Sequence, residues 1–64
     1  MSAKANRIIG DLFNAFMEDI RLLPPQFQNA AKNDAPRAVS DYIAGMTDRY
    51  AIKEYRRLFA VGEE

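Results

Sequence analysis

The sequence predicts an all-α fold, a small helical bundle of two to three helices. Apolar residues recur at helical spacing through Ile9, Phe13, Phe16, Ile20 and Leu23, and again through Val39, Ile43, Met46 and Tyr50. Between these stretches the pair Pro24 and Pro25 forbids one continuous helix, because proline lacks a backbone N–H and pushes its predecessor toward extended backbone. The order Asp34 then Pro36 is the one favoured where a new helix begins.

The first element is expected from Ala3 to about Leu23, with Ile8, Leu12 and Met17 widening its apolar stripe. Between Gln26 and Asn33 only Phe27, Ala30 and Ala31 are apolar, which predicts at most a short helix or an ordered loop pinned by Phe27. The last element opens at Asp34 as N-cap. Tyr55, Leu58 and Phe59 carry helical character to about Ala60, and Gly62 with two glutamates closes the chain. A kink is expected near Gly45 to Asp48, since an interior glycine costs about 1 kcal/mol relative to alanine and Thr47 or Asp48 offers a fresh cap. Phe13, Phe16 and Ile43 are expected to share one core.

Sixty-four residues make one domain at most, and a chain of this size buries only about 60% of the surface its unfolded form exposes. Having no cysteine and no histidine, it lacks both disulfides and the usual metal ligands, which leaves association as the device that reinforces a small core. Homo-oligomerisation is therefore expected. Nine basic and nine acidic residues cancel, so no net field draws in nucleic acid or an anionic membrane. The apolar runs fall far short of the roughly 20 residues that span a bilayer, and "MSAKANR" is not followed by a signal-peptide core. A cytoplasmic location without a membrane partner is expected.

The stretch "VSDYIAGMTDRYA", residues 39–51, concentrates polar chemistry in the best helical pattern. Asp41 and Asp48 share a helical face but stand roughly 10.5 Å apart along it, too far for two short carboxylates to hold one metal ion. Local roles are expected instead: Arg37 can pair with Asp41 one turn on, and Asp48 can cap or meet Arg49 or Lys53. Ser2, Ser40 and Thr47 have no histidine to act as a base, and Gly10, Gly45 and Gly62 stand alone rather than in a run that could cradle phosphate. No catalytic residue and no metal ligand is assigned, and no cofactor is expected in this chain.

The run "RAVSDYIAGMTDRYAIKEYRRLF", Arg37 to Phe59, resembles the C-terminal signature of bacterial deoxyguanosinetriphosphate triphosphohydrolases, the dGTPase-like branch of the HD-domain phosphohydrolases. "IIGDLFNAFMEDIRLLPPQF", Ile8 to Phe27, resembles the helix and "LLPP" turn that precede that signature. Asp41-Tyr42, Ala44 to Tyr50 and Tyr55 to Arg57 carry most of the specificity, and residues 28–35 carry little. The resemblance implies that residues 1–64 are a single helical C-terminal domain, the phosphohydrolase-associated domain, of a larger enzyme whose HD catalytic domain is absent here. For that parent it implies hydrolysis of dGTP to deoxyguanosine and triphosphate, with Mg or Mn held by histidines and aspartates of the HD motif. This chain has no histidine, so no ligand carries over and the chain alone is expected to be inactive.

The implied partners are the HD catalytic domain and neighbouring subunits, met by the candidate interface residues Asp41, Gly45, Thr47, Asp48 and Arg49, with Gly45 letting another helix approach. An equal alternative is that these groups satisfy one another within the helical unit. Lys53, Arg56 and Arg57, together with Arg49, are candidate contacts for an anion or effector. Four basic residues on a neutral chain more often form a solvated face, which disfavours nucleic acid as a partner of this chain alone. A function of another class is a free-standing helical module that binds a helix, or itself, through Phe13, Phe16 and Phe27.

Overall fold

The computed structural model describes residues 3–59, with side chains from residue 6 onward. Three helices follow in order, α1 Ala3–Glu18, α2 Pro25–Ala44 and α3 Asp48–Phe59, with a 3-10 turn at Ile20–Leu22 between the first two. Among the described residues there is no strand, as the all-α expectation required. The expected closing signals at Ala60 and Gly62 lie outside the described residues.

The first helix ends earlier than its apolar pattern. Asp19 turns extended (φ −148°, ψ 93°), and its carboxylate accepts the backbone N–H of Arg21 at 3.0 Å while pairing with the Arg21 guanidinium at 2.9 Å. Aspartate competes in this way with the helix it would otherwise continue. The Arg21 hydrogen bonds to its side chain hold the Asp19 carboxyl below the usual carboxylate range. Ile20 and Leu23 still reach the apolar interior, but from the 3-10 turn and its exit rather than from α1.

Leu23 (ψ 154°) and Pro24 (ψ 154°) are both extended, each because a proline follows it. Pro25 then opens α2 at a position whose N–H has no helical partner to lose. The Gln28 side chain folds back to donate to the Leu23 carbonyl at 2.7 Å and the Arg21 carbonyl at 3.3 Å, tying the turn shut. The segment from Gln26 to Asn33 is thus helical, the first of the two expected outcomes.

At Asp34 (φ −153°, ψ 86°) α2 breaks its helical dihedrals, and the Asp34 carboxylate accepts the N–H of Arg37 at 3.3 Å. This is the predicted N-cap, and it lets Pro36 sit in a first turn that needs no N–H from it. The second break is complete rather than a kink. The Gly45 N–H reaches the Asp41 and Tyr42 carbonyls, both at 3.3 Å, and α3 starts afresh with the Thr47 hydroxyl accepting the N–H of Tyr50 at 3.1 Å. Tyr50 therefore leaves the stripe of Val39, Ile43 and Met46 to which its spacing assigned it. It stands on α3 with 42% of its surface exposed, because the corner resets the helical phase.

The core comprises Leu12, Phe16, Leu23, Ala31, Ala38, Val39, Ile43 and Ala51. Phe16, Leu12 and Val39 are its largest fully buried side chains, and Phe13 packs against it half-buried, so the three predicted core residues do meet. Both α2 and α3 lean on α1 far more than on one another. The result is a slab measuring 32 × 30 × 16 Å, little more than one helix on another in its thin direction.

Candidate functional site

Because α2 and α3 splay across α1, a groove of about 310 Å³ opens at their corner, lined by Phe27, Asp41, Tyr42, Gly45, Met46, Thr47 and Tyr50. Its floor is anchored to the core. Phe16 meets the Tyr42 ring edge-on at 5.4 Å, and Phe27 packs against Tyr42 at a tilt, 4.9 Å away. On the far wall Tyr50 stands edge-to-face with Tyr42, their centroids 6.5 Å apart and their hydroxyls 3.2 Å apart. Burial pushes the Tyr42 hydroxyl up from the ordinary tyrosine range, helped by its hydrogen bond with Tyr50 and by the nearby Glu54 charge.

Behind the tyrosine pair lies the charged residue that the sequence did not single out. Glu54 is 6% exposed and is held by Arg57 through two hydrogen bonds, 2.7 Å and 3.1 Å long. That bond raises the Arg57 guanidinium above its already high range. The usable signal was spacing: Glu54 lies three residues after buried Ala51 and four before half-buried Leu58, on the α3 face that turns inward. Among the described residues no buried side-chain nitrogen or oxygen lacks a partner.

The five predicted interface residues are all exposed and divide into two groups. Asp41, Gly45 and Thr47 line the groove, whereas Asp48 and Arg49 lie outside its lining. Each polar group also has a local task. Asp41 pairs with Arg37 at 3.5 Å, Thr47 caps α3, and Asp48 sits in the first turn, where the helix dipole favours a carboxylate. Gly45 adopts ordinary right-handed dihedrals (φ −84°, ψ −2°), and an added Cβ would meet only its own helix carbonyls at 3.7 and 3.8 Å. The fold itself has room for alanine there.

The basic residues also separate. Arg49, Lys53 and Arg56 share the outer face of α3 around Ile52, which is 41% exposed. Arg57 turns instead to Glu54, so the expected set of four does not form one surface. Among the described residues no three histidine, cysteine, aspartate or glutamate side chains gather in a way that could hold a metal ion, and no helix is long and apolar enough to cross a membrane.

Residues 1–57 match the family described as the phosphohydrolase-associated domain. The chain is 75% identical over 63 residues to a deoxyguanosinetriphosphate triphosphohydrolase-like protein of Azoarcus sp., covering 98% of this chain and 17% of that relative. To a protein of the same name from Ralstonia nicotianae it is 67% identical over 61 residues, covering 95% of this chain and 16% of the relative. The corresponding values for the Thiobacillus denitrificans protein of that name are 60% over 63 residues, 98% and 17%. The chain thus spans about a sixth of the length of the curated relatives it matches. No solved structure matches it. Since the family match extends from the first residue almost to the end of α3, the chain belongs to the phosphohydrolase-associated domain family.

Proposed function

We propose that this chain is the C-terminal helical domain of a dGTPase-like triphosphohydrolase, and that its role there is to dock against the catalytic part rather than to catalyse. The observation that carries the reading is the near-complete match of this chain to about a sixth of relatives named as triphosphohydrolase-like proteins. The parent reaction would be hydrolysis of dGTP to deoxyguanosine and triphosphate, in the cytoplasm. A divalent ion such as Mg or Mn would supply activated water in that reaction. The residues present do not fit it: the sequence has no histidine, and no metal-capable cluster forms among the described residues. Metal and substrate chemistry are therefore assigned to the HD catalytic domain.

Three features support docking through the α2–α3 corner. The slab is thin, which leaves the aromatic groove open on one side. Gly45 stands exposed at its rim although the fold has room for a side chain, and a bare backbone is what a closely approaching partner needs. Asp41 and Thr47 bring polar groups to the same rim. The partners in this reading are the HD catalytic domain of the same polypeptide and neighbouring subunits of a homo-oligomer.

The test is a segment exchange in the Azoarcus relative. Replacing its matching segment with this chain should preserve release of triphosphate from dGTP with Mg or Mn, whereas deleting the segment should abolish most of it. This chain alone should release no triphosphate above a protein-free blank. Full activity of the deletion, or activity of the isolated chain, would refute the reading.

A further inference from the structure

The α2–α3 groove is selective in its chemistry as well as open. Phe27, Tyr42 and Tyr50 supply three aromatic walls. Asp41 is the one charged residue in its lining among the described residues. The Asp41 carboxylate meets the Arg37 guanidinium through Oδ2 at 3.5 Å, with both side chains largely exposed. An exposed pair of that length is weak, and Oδ1 is left to accept from elsewhere. Arg57, whose charge also reaches Tyr42, is engaged by Glu54.

Ring faces with negative quadrupoles next to an available carboxylate favour a cation. A planar guanidinium suits the setting better than an ammonium group, because it stacks on a ring and bonds a carboxylate through its fork at once. We infer that the α2–α3 groove receives an arginine side chain presented by the protein segment that docks there, with its guanidinium stacked on the aromatic wall and bonded to Asp41. This inference rests on the docking reading and adds the chemistry of the occupant. Exposed Gly45 lets the backbone that carries the arginine come close. A second acidic furrow, formed by Asp11, Glu18 and Phe59 between α1 and α3, offers an internal comparison, since it has two carboxylates but a single ring.

The isotope-labelled chain is titrated with N-acetyl-arginine amide while its amide and aromatic NMR signals are followed. N-acetyl-citrulline amide, the neutral isostere, and N-acetyl-leucine amide serve as controls. The Phe27, Tyr42 and Tyr50 ring signals should move together with a dissociation constant on the order of 10 mM, and neither control should reproduce this. Asp41→Asn should weaken binding about threefold, whereas Asp48→Asn, which removes the same charge outside the lining, should not. Equal responses to arginine and citrulline, equal effects of the two variants, or shifts centred on Asp11, Glu18 and Phe59 would overturn the inference. No part of a longer polypeptide enters this titration, so its failure leaves the segment-exchange result standing, and the reverse also holds.

Discussion

Truncating Phe16 to alanine gives the sharpest test of the packing. Phe16 is fully buried, at 0% exposure, and its ring meets Tyr42 edge-on at 5.4 Å and 74°. Losing the buried ring, the aromatic contact and the packing around the void should together cost about 3–5 kcal/mol. A domain of this size has on the order of 3–10 kcal/mol of stability in total, at roughly 0.05–0.15 kcal/mol per residue. Phe16→Ala should therefore leave the chain largely unfolded or close to it at 25 °C. Phe16→Leu, which keeps most of the volume, should cost about 1 kcal/mol and lower Tm by about 4–8 °C. Phe59→Ala, at a ring that is 46% exposed, should fall within about 1 kcal/mol of the parent. Far-UV circular dichroism during thermal and urea denaturation reads all three. An unchanged Tm for Phe16→Ala would mean that the ring is not in the core and that the packing of α1 described above is wrong.

The caps give a second test: Thr47→Ala and Asp34→Ala should each cost about 1 kcal/mol, and a loss below a few tenths in urea melts would show that the 3.1 Å and 3.3 Å bonds carry no weight. The Glu54–Arg57 pair should respond asymmetrically. Arg57→Ala leaves a buried carboxylate without its partner and should cost about 2 kcal/mol, whereas Glu54→Leu leaves only a half-exposed arginine and should be near neutral. Equal losses in the two variants would contradict the burial of Glu54. The raised Tyr42 hydroxyl makes an alkaline prediction. The folded state holds this proton more tightly than the unfolded state, so its share of stability is intact below the unfolded value near pH 10 and is lost as pH rises beyond it. In thermal melts between pH 8 and pH 11, the parent should decline more steeply above about pH 10 than Tyr42→Phe, and parallel profiles would count against a Tyr42 proton held more tightly in the folded state.

What the sequence determined by itself was local. Helix caps act over three or four residues, so the Asp34 cap ahead of Pro36 could be read directly and is matched by its hydrogen bond and dihedrals, whereas the Pro24–Pro25 stop closes the 3-10 turn rather than α1 and the kink expected near Gly45 to Asp48 is a full break. The apolar stripe of α1 identified Leu12 and Phe16 for the same reason: a helix fixes which residues share a face. Two competing local signals misled the reading. Asp19 had a side chain able to cap a 3-10 turn and ended α1 at Glu18, and the corner at Gly45 to Thr47 reset the helical phase and carried Tyr50 outward.

Only the tertiary structure decided which surfaces meet. Tyr55 donates to Asp11 at 3.4 Å across 44 residues, and the tyrosine pair of the groove forms where α2 and α3 meet at their corner over α1. Those placements depend on interaxial geometry, which no short window of sequence contains. Hence Asp41, Gly45 and Thr47 were legible as interface candidates but their grouping without Asp48 and Arg49 was not, and the burial of Glu54 beside Tyr42 was missed. A glutamate in a run of charges reads as solvent-facing until the packing of its helix shows that it points inward.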